Sequence, residues 1–219
     1  MARWCVFDLD GTLVDSVPDL AAALNRIMAA RGLAAFALPQ VQAMVGDGAR
    51  ALVERGFAAR DAAMDAAAVA DFLADYTVNA AVDSRPYPDV EATLVTLRRA
   101  GWTLAVCTNK PVLAARALLS ALGLDRYFAA VGGGDSYPVR KPDPGHLLAV
   151  LGACGGRADR AVMVGDHHND ILAAAGTGVA SVWARWGYGL AVQGATAEAG
   201  AFTDLPQALD RLIPDPIVR

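Results

Sequence analysis

The chain has 219 residues, 55% hydrophobic and 19% charged, with a formal net charge of −4. This size and balance are those of a compact folded protein with one sizeable core, or a core and a small second domain, and they exclude disordered and fibrous classes. The acidic balance without a basic run argues against a nucleic-acid surface, and no apolar stretch approaches the length of a bilayer span.

The apolar run at residues 4–7 predicts a buried strand, and it begins so early that no leader peptide is expected ahead of it. Cys5, Cys107 and Cys154 stand far apart with no C-x-x-C spacing. They predict free thiols, buried for Cys5 and Cys107, in keeping with a reducing cytoplasm. After the first strand the periodicity predicts a helix over 20–30 closed by Arg31 and Gly32, a short helix over 39–45, and one over 48–57 with Leu52, Val53 and Phe57 on one face. A long Ala-rich helix is predicted over 61–80, carrying Val69, Phe72, Leu73 and Tyr76 at helical spacing. Pro86 and Pro88 then disfavour helix in the residues before them.

From there strands and helices alternate. Helices are predicted over 90–100, 111–122, 144–151 and 170–175, and strands over 102–107, 127–131, 161–164 and 179–184. A final strand–helix pair is predicted at 201–203 and 205–212. Alternation of this kind implies right-handed crossovers and a doubly wound parallel α/β sheet, with a Rossmann-like core. The expected division is a catalytic core from 1–14 and 85–219, with an inserted small α-helical domain from 15–84. No internal repeat is present.

Polar clusters follow three of the apolar strands: Asp8 and Asp10, then Thr108-Asn109-Lys110, then Gly165-Asp166-His167-His168-Asn169-Asp170. In a parallel sheet the carboxyl ends of the strands share one edge, so the three clusters can converge there. Two acids crowded at a strand end repel each other unless a cation sits between them or one keeps its proton. The donor types suit magnesium, which takes oxygen ligands, with Asp8 and Asp166 as the carboxylates. Thr108 offers a hydroxyl and a backbone N–H to phosphate oxygens, and Lys141 a fixed positive charge beside Asp8. Asp10 is the spare acid, free to protonate a leaving alkoxide and later to activate water. These residues point to phosphoryl transfer with Asp8 as nucleophile.

Each residue also has a plainer reading. Asp before Gly is ordinary turn chemistry, Thr108 and Asn109 are common helix caps and are expected to cap and bind phosphate together, Lys141 before Pro142 is an ordinary loop lysine, and Asp166 and Asp170 suit a helix N-terminus. Arg50 either binds a substrate carboxylate bidentately or is a solvated helix residue. His167 and His168 are adjacent, with no third His or Cys at ligand spacing, which favours exposed or backbone-bonded histidines over a transition-metal site. Trp183, Trp186 and Tyr188 read as a packing cluster. Residues 132–134 read as a flexible connection, because the triple glycine lacks the ending of a nucleotide-binding loop.

The four elements Asp8-Leu9-Asp10-Gly11-Thr12, Thr108-Asn109, Lys141 and Gly165-Asp166 with Asp170, in this order, resemble the motifs of the haloacid dehalogenase superfamily of phosphatases. The resemblance spans essentially the whole chain, and the inserted helical block looks like that family's small helical cap. Within the superfamily the chain is most similar to the phosphoglycolate phosphatases, on Asp8 through Leu20, on Val45-Gly46-Asp47-Gly48-Ala49-Arg50, on Gly133-Gly134-Asp135 ahead of Lys141-Pro142, and on Trp186-Gly187-Tyr188-Gly189. Asp47 stands where such proteins often have Asn, and His167-His168 replaces smaller or polar residues.

The resemblance implies an aspartyl-phosphate on Asp8, with Asp10 as general acid/base. It implies Mg2+ held by Asp8, Asp166 and the main-chain carbonyl of Asp10, and Asp170 supporting Lys141 or a metal-bound water. It also implies a cap closing over a small phosphorylated metabolite, with 2-phosphoglycolate favoured, in a monomer or homodimer that binds neither nucleic acid nor membrane. The competing expectations are a phosphatase of a sugar or amino-sugar phosphate, a nucleotide or pyrophosphate, and a phosphosugar mutase. A non-catalytic binding protein is the reading from another class. It would be marked by loss of Asp8, Asp10, Lys141 or Asp166, and none is lost.

Overall fold

A computed structural model describes residues 2–190 and 192–214. Strand β1 (Arg3–Phe7) leads into a turn and the short β2 (Val14–Asp15). Helices α1 (Val17–Ala29), α2 (Leu38–Gln42), α3 (Ala49–Ala58) and α4 (Ala68–Val78) follow, and then the short β3 (Arg85–Pro86). The rest of the chain alternates: α5 (Val90–Arg99), β4 (Trp102–Cys107), α6 (Val112–Ala121), β5 (Ala130–Gly132), α7 (Pro144–Ala153), β6 (Ala161–Gly165), α8 (His168–Thr177) and β7 (Ala180–Ala184). It ends with β8 (Ala197–Ala199) and α9 (Leu205–Leu212).

Six strands form one parallel sheet in the order β5-β4-β1-β6-β7-β8. The central strands are buried on both faces, as parallel strands covered by crossover helices must be. Side chains alternate across the sheet, so β1 sends Cys5 and Phe7 to one apolar layer and Trp4 and Val6 to the other. Leu147, Val150 and Leu151 of α7, with Ala173 and Ala174 of α8, cover the second layer. Phe7 is in register with Val106 of β4 and Val164 of β6, so the three polar clusters leave the sheet at one level.

The helical block leaves and rejoins this sheet through adjacent backbones. β2 pairs antiparallel with β3, Val14 opposite Pro86 and Asp15 opposite Arg85. The buried Asp19 carboxylate fastens the same junction, accepting from the Ser84 N–H at 2.8 Å, the Ser84 hydroxyl at 2.7 Å and the Asp83 N–H. Inside the block, Leu24 and Met28 of α1 meet α3 at Gly56, where an added Cβ would lie 3.1–3.2 Å from them. Phe72 and Tyr76 of α4 stack at 5.8 Å. Burying a side chain such as Phe57 or Leu24 contributes about 1.5–3 kcal/mol, so this amphipathic packing holds four modest helices together.

Three predicted elements differ from the observed ones. The long helix over 61–80 is only α4: Asp61 takes a positive φ of 51°, and the Asp65 carboxylate accepts from the Ala67 N–H at 2.8 Å while pairing with Arg31. That local side-chain bond starts the helix late and leaves the residues before it in turns. The strand over 127–131 begins later, as β5, because Tyr127 belongs to a 3-10 turn. The strand predicted at 201–203 is a 3-10 turn whose Asp204 carboxylate accepts from the Gly200 and Ala201 N–H groups, and the edge strand is β8 just before it. Among the described residues no helix is long and apolar enough to cross a membrane. Cys5, Cys107 and Cys154 are free thiols, the first two buried.

Candidate active site

Asp8 continues the ladder beyond β1, its N–H bonded to Val164 O at 2.9 Å. Its side chain is fixed from two sides: Oδ1 accepts from the Leu9 N–H at 2.7 Å and faces Lys141 Nζ at 2.9 Å. Gly11 then turns the chain with φ of 82°, and a Cβ there would fall 2.5 Å from Asp166 Oδ2. Glycine is therefore needed for both the turn and the approach of β6's acid. Thr12 donates its hydroxyl to Asp166 Oδ1 at 2.7 Å.

Asp166 leaves β6 almost fully buried, and its Oδ2 accepts from the Tyr188 N–H at 2.8 Å and the Gly189 N–H at 3.3 Å. Gly187 and Gly189 allow this loop to lie on it, since Cβ atoms there would sit about 2 Å from Asp166 atoms. Burial pushes the Asp166 carboxyl up to about 6, and the charge of Asp8 adds to the shift. Asp170, on the first turn of α8, sits under Lys141 with Nζ–Oδ1 at 2.5 Å. Burial works against the Lys141 ammonium, but Asp170 and Asp8 outweigh it and hold the lysine well above its usual range.

Lys141, joined to Pro142 by a cis peptide, is positioned by two bonds through its backbone. Its N–H donates to His146 Nδ1 at 3.2 Å, and its carbonyl accepts from Asn109 Nδ2 at 2.9 Å. Thr108 is buried at the end of β4 beside these groups. Residues 132–134, expected to be flexible, are a close-approach element instead: Cβ atoms on Gly133 and Gly134 would lie 2.4 Å from Val112 N and Asn109 O.

The helical block is closed onto this edge. Asn109 Nδ2 also donates to Gly46 O at 3.0 Å, and Asn169 Nδ2 donates to Asp47 Oδ1 at 2.7 Å while Arg55 pairs with the other oxygen of Asp47. Beneath the block lies a cavity with apolar walls from Leu20, Val45, Leu52, Phe72 and Leu73, and with Asp8, Asp10 and Thr108 on its floor. Asp10 is held there by the Ser16 hydroxyl at 2.6 Å and by Lys110 Nζ at 2.8 and 3.1 Å. Lys110 also donates to the Tyr76 hydroxyl of α4 at 2.7 Å. Burial disfavours its charge, but Asp10 and Tyr76 outweigh that and raise its pKa.

The structure thus brings together Asp8, Asp10, Thr108, Asn109, Lys141, Asp166 and Asp170. It does not bring in Arg50, whose side chain is 63% exposed and, among the described residues, reaches only Glu54 at 3.5 Å. His167 Nδ1 accepts from the Asn169 N–H at 3.4 Å and its ring lies 4.0 Å from that of His168, which is the backbone-bonded reading. Asp47, His167 and His168 do offer ligand atoms within 4.8 Å of one another, with Arg55 already paired to the acid. Sequence reasoning gave no role to Lys110, Ser16 or Tyr76. Lys110 stands next to Asn109 in a cluster already singled out, and that adjacency was the available signal. Tyr188, read as packing, also accepts from the Ser16 N–H at 2.7 Å and bonds to Asp15 at 2.8 Å.

The oxygens of Asp8, Asp166 and Asp170 lie within 4.8 Å of one another. Asp8 and Asp170 share the single ammonium of Lys141, and with Asp166 beside them the three carboxyl groups offer hard oxygen donors in excess of that one positive charge, a set that fits a divalent cation such as Mg2+.

The chain is similar to phosphoglycolate phosphatases from Caulobacter vibrioides, 45% identical over 94% of this chain and 90% of the relative, and Agrobacterium fabrum, 45% identical over 84% and 80%. A crystal structure of a predicted phosphoglycolate phosphatase from Haemophilus somnus superposes with a TM-score of 0.87 at 32% identity, covering 94% of this chain and 97% of that one. A model of the haloacid dehalogenase-like hydrolases matches residues 2–178, and the chain belongs to that family.

Proposed function

We propose that the protein hydrolyses 2-phosphoglycolate to glycolate and phosphate in a magnesium-dependent reaction through an aspartyl-phosphate on Asp8. The observation that carries this reading is the convergence of Asp8, Lys141, Asp166 and Asp10 at one sheet edge under a closed apolar cover. Relatives at 45% identity that bear the phosphoglycolate phosphatase name support the substrate.

In this reading Asp8, Asp166 and the Asp10 carbonyl hold the cation. When bound, it offsets the carboxylates so that a phosphate dianion can approach Asp8. Asp8 Oδ attacks phosphorus in line, the ester P–O bond breaks, and Asp10 gives its proton to the departing alkoxide. Water then attacks the phosphoryl group, Asp10 takes a proton from it, and Asp8 is released with inorganic phosphate. Lys141 and the Thr108 hydroxyl stabilise the phosphoryl oxygens, and Asp170 keeps Lys141 oriented. The Thr108 N–H, expected to help, is instead given to Gly132 O at 2.9 Å because Thr108 still belongs to the β4–β5 ladder. Residues 15–84 act as the cap and 1–14 with 85–219 as the catalytic core.

A panel of phosphate monoesters assayed for kcat/KM tests the substrate. 2-Phosphoglycolate ranks first if the reading holds, and a higher rank for sugar phosphates or nucleotides removes it.

A further inference from the structure

We infer that Lys110, with the Tyr76 hydroxyl, binds the carboxylate of the substrate's leaving group and so selects anionic two-carbon esters; this rests on the phosphoglycolate reading above. A carboxylate entering a cavity with apolar walls needs a cation and hydrogen-bond donors, because an unpaired buried charge is costly. Among the described residues that line the cavity, the charged groups are Asp8, Asp10 and Lys110, so Lys110 is the one cation. Arg50, the sequence-level candidate for this task, points to solvent.

The donors are in place. An ammonium carries three N–H groups. Those of Lys110 reach Asp10 Oδ1 at 2.8 Å, the Tyr76 hydroxyl at 2.7 Å and, more loosely, Asp10 Oδ2 at 3.1 Å, with Nζ 4.2 Å from the centre of the tyrosine ring, and an incoming carboxylate takes the place of the Oδ2 contact. Tyr76 accepts in that bond and keeps its own proton to donate, so ammonium and phenol present a two-donor corner to an anion.

Reach agrees as well. In 2-phosphoglycolate one carbon separates the ester oxygen from the carboxylate, so their oxygens lie roughly 3 Å apart. An ester oxygen within hydrogen-bond distance of Asp10 therefore places the carboxylate beside the cation that Asp10 already touches. A longer or neutral leaving group cannot use this corner and meets Leu52, Phe72 and Leu73 instead. The neighbouring roles divide cleanly: Lys141 serves the phosphoryl group and Lys110 the leaving group.

The test compares 2-phosphoglycolate with 2-hydroxyethyl phosphate, which has a leaving group of similar length without the charge. Wild-type protein, Lys110→Met and Tyr76→Phe are assayed with Mg2+, and circular dichroism checks each fold. Lys110→Met weakens Asp10's support for both substrates, so the readout is the ratio of the two kcat/KM values. The ratio falls roughly 10- to 100-fold in Lys110→Met, chiefly through KM for 2-phosphoglycolate, consistent with a lost charged hydrogen bond. Tyr76→Phe, which keeps the ring and its packing, lowers the ratio several-fold and carries the test alone if Lys110→Met does not fold. An unchanged ratio in the variants, with the wild-type preference intact, overturns the inference and leaves the substrate reading standing. No wild-type preference for 2-phosphoglycolate overturns both.

Discussion

Asp166 shows how one buried residue couples the site to solution pH. Its carboxyl is pushed up to about 6 from the ordinary 3.8 by burial and by Asp8, although Thr12, Tyr188 and Gly189 donate to it. A proton held more tightly in the folded than in the unfolded state contributes stability that is complete below the unfolded pKa and lost as pH rises through the folded one. The metal-free protein therefore gains stability from this residue as pH falls through about 6 toward 3.8. The cation needs the opposite form of the same group, so proton and metal compete. Magnesium affinity measured by calorimetry is expected to hold steady between about pH 7 and pH 8 and to weaken about fivefold from pH 6 to pH 5. A flat profile down to pH 5 removes Asp166 from the ligand set.

At the scale of elements, the junction between the helical block and the sheet turns on the loop before α3. Gly48 there has φ of 87°, and a Cβ would fall 2.8 Å from the Asn109 carbonyl oxygen. Gly48→Ala forces the block away from Asn109, while Gly32→Ala, at φ of 69° with nothing within 4 Å, imposes left-handed strain alone. Gly32→Ala costs about 1 kcal/mol of stability from its backbone and Gly48→Ala, at φ of 87° with ψ of 172°, a conformation essentially confined to glycine, about 1–3 kcal/mol, but only Gly48→Ala is expected to lower kcat/KM, by tenfold or more, because closure completes the site. Equal activity in the two variants would separate this contact from closure. Such contacts were not legible in the sequence, since Gly48 sits next to Ala49 with no periodic signal, whereas the alternation of strands and helices was. The apolar runs at β1, β4 and β6 carried the sheet and, through its shared edge, the convergence of Asp8, Thr108 and Asp166. What escaped was set by side chains bonding locally or across the fold. Asp65 shortened α4, Asp204 made a turn where a strand was expected, and Lys110 took its place through Tyr76, 34 residues away. Arg50, placed near the substrate by its position in the chain, projects outward because its helix turns other residues to the cavity.

Across the whole molecule, stability and chemistry reside in different layers. Apolar side chains on both faces of the sheet, among them Phe7, Leu104, Val106, Val164, Leu147 and Met163, are fully buried and account for the fold without the acidic edge. That edge gathers Asp8, Asp166 and Asp170 within 4.8 Å of one another, with one ammonium paired to Asp8 and Asp170 to offset them, and such crowding opposes folding until a cation enters. Removing one charge should therefore cost function and spare the fold. Asp8→Asn keeps an oxygen to accept the Leu9 N–H, and Lys141 keeps Asp170 at 2.5 Å. The amide cannot attack phosphorus, and phosphate release is expected to fall by about 10⁴-fold or more. In chelator, where no cation offsets the acids, the thermal midpoint of Asp8→Asn is expected to equal or exceed that of the wild type, since functional sites are commonly bought at some cost in stability. Retained turnover would remove Asp8 as nucleophile. A midpoint lowered by many degrees would instead make Asp8 a structural carboxylate, with Lys141 as the partner it cannot lose.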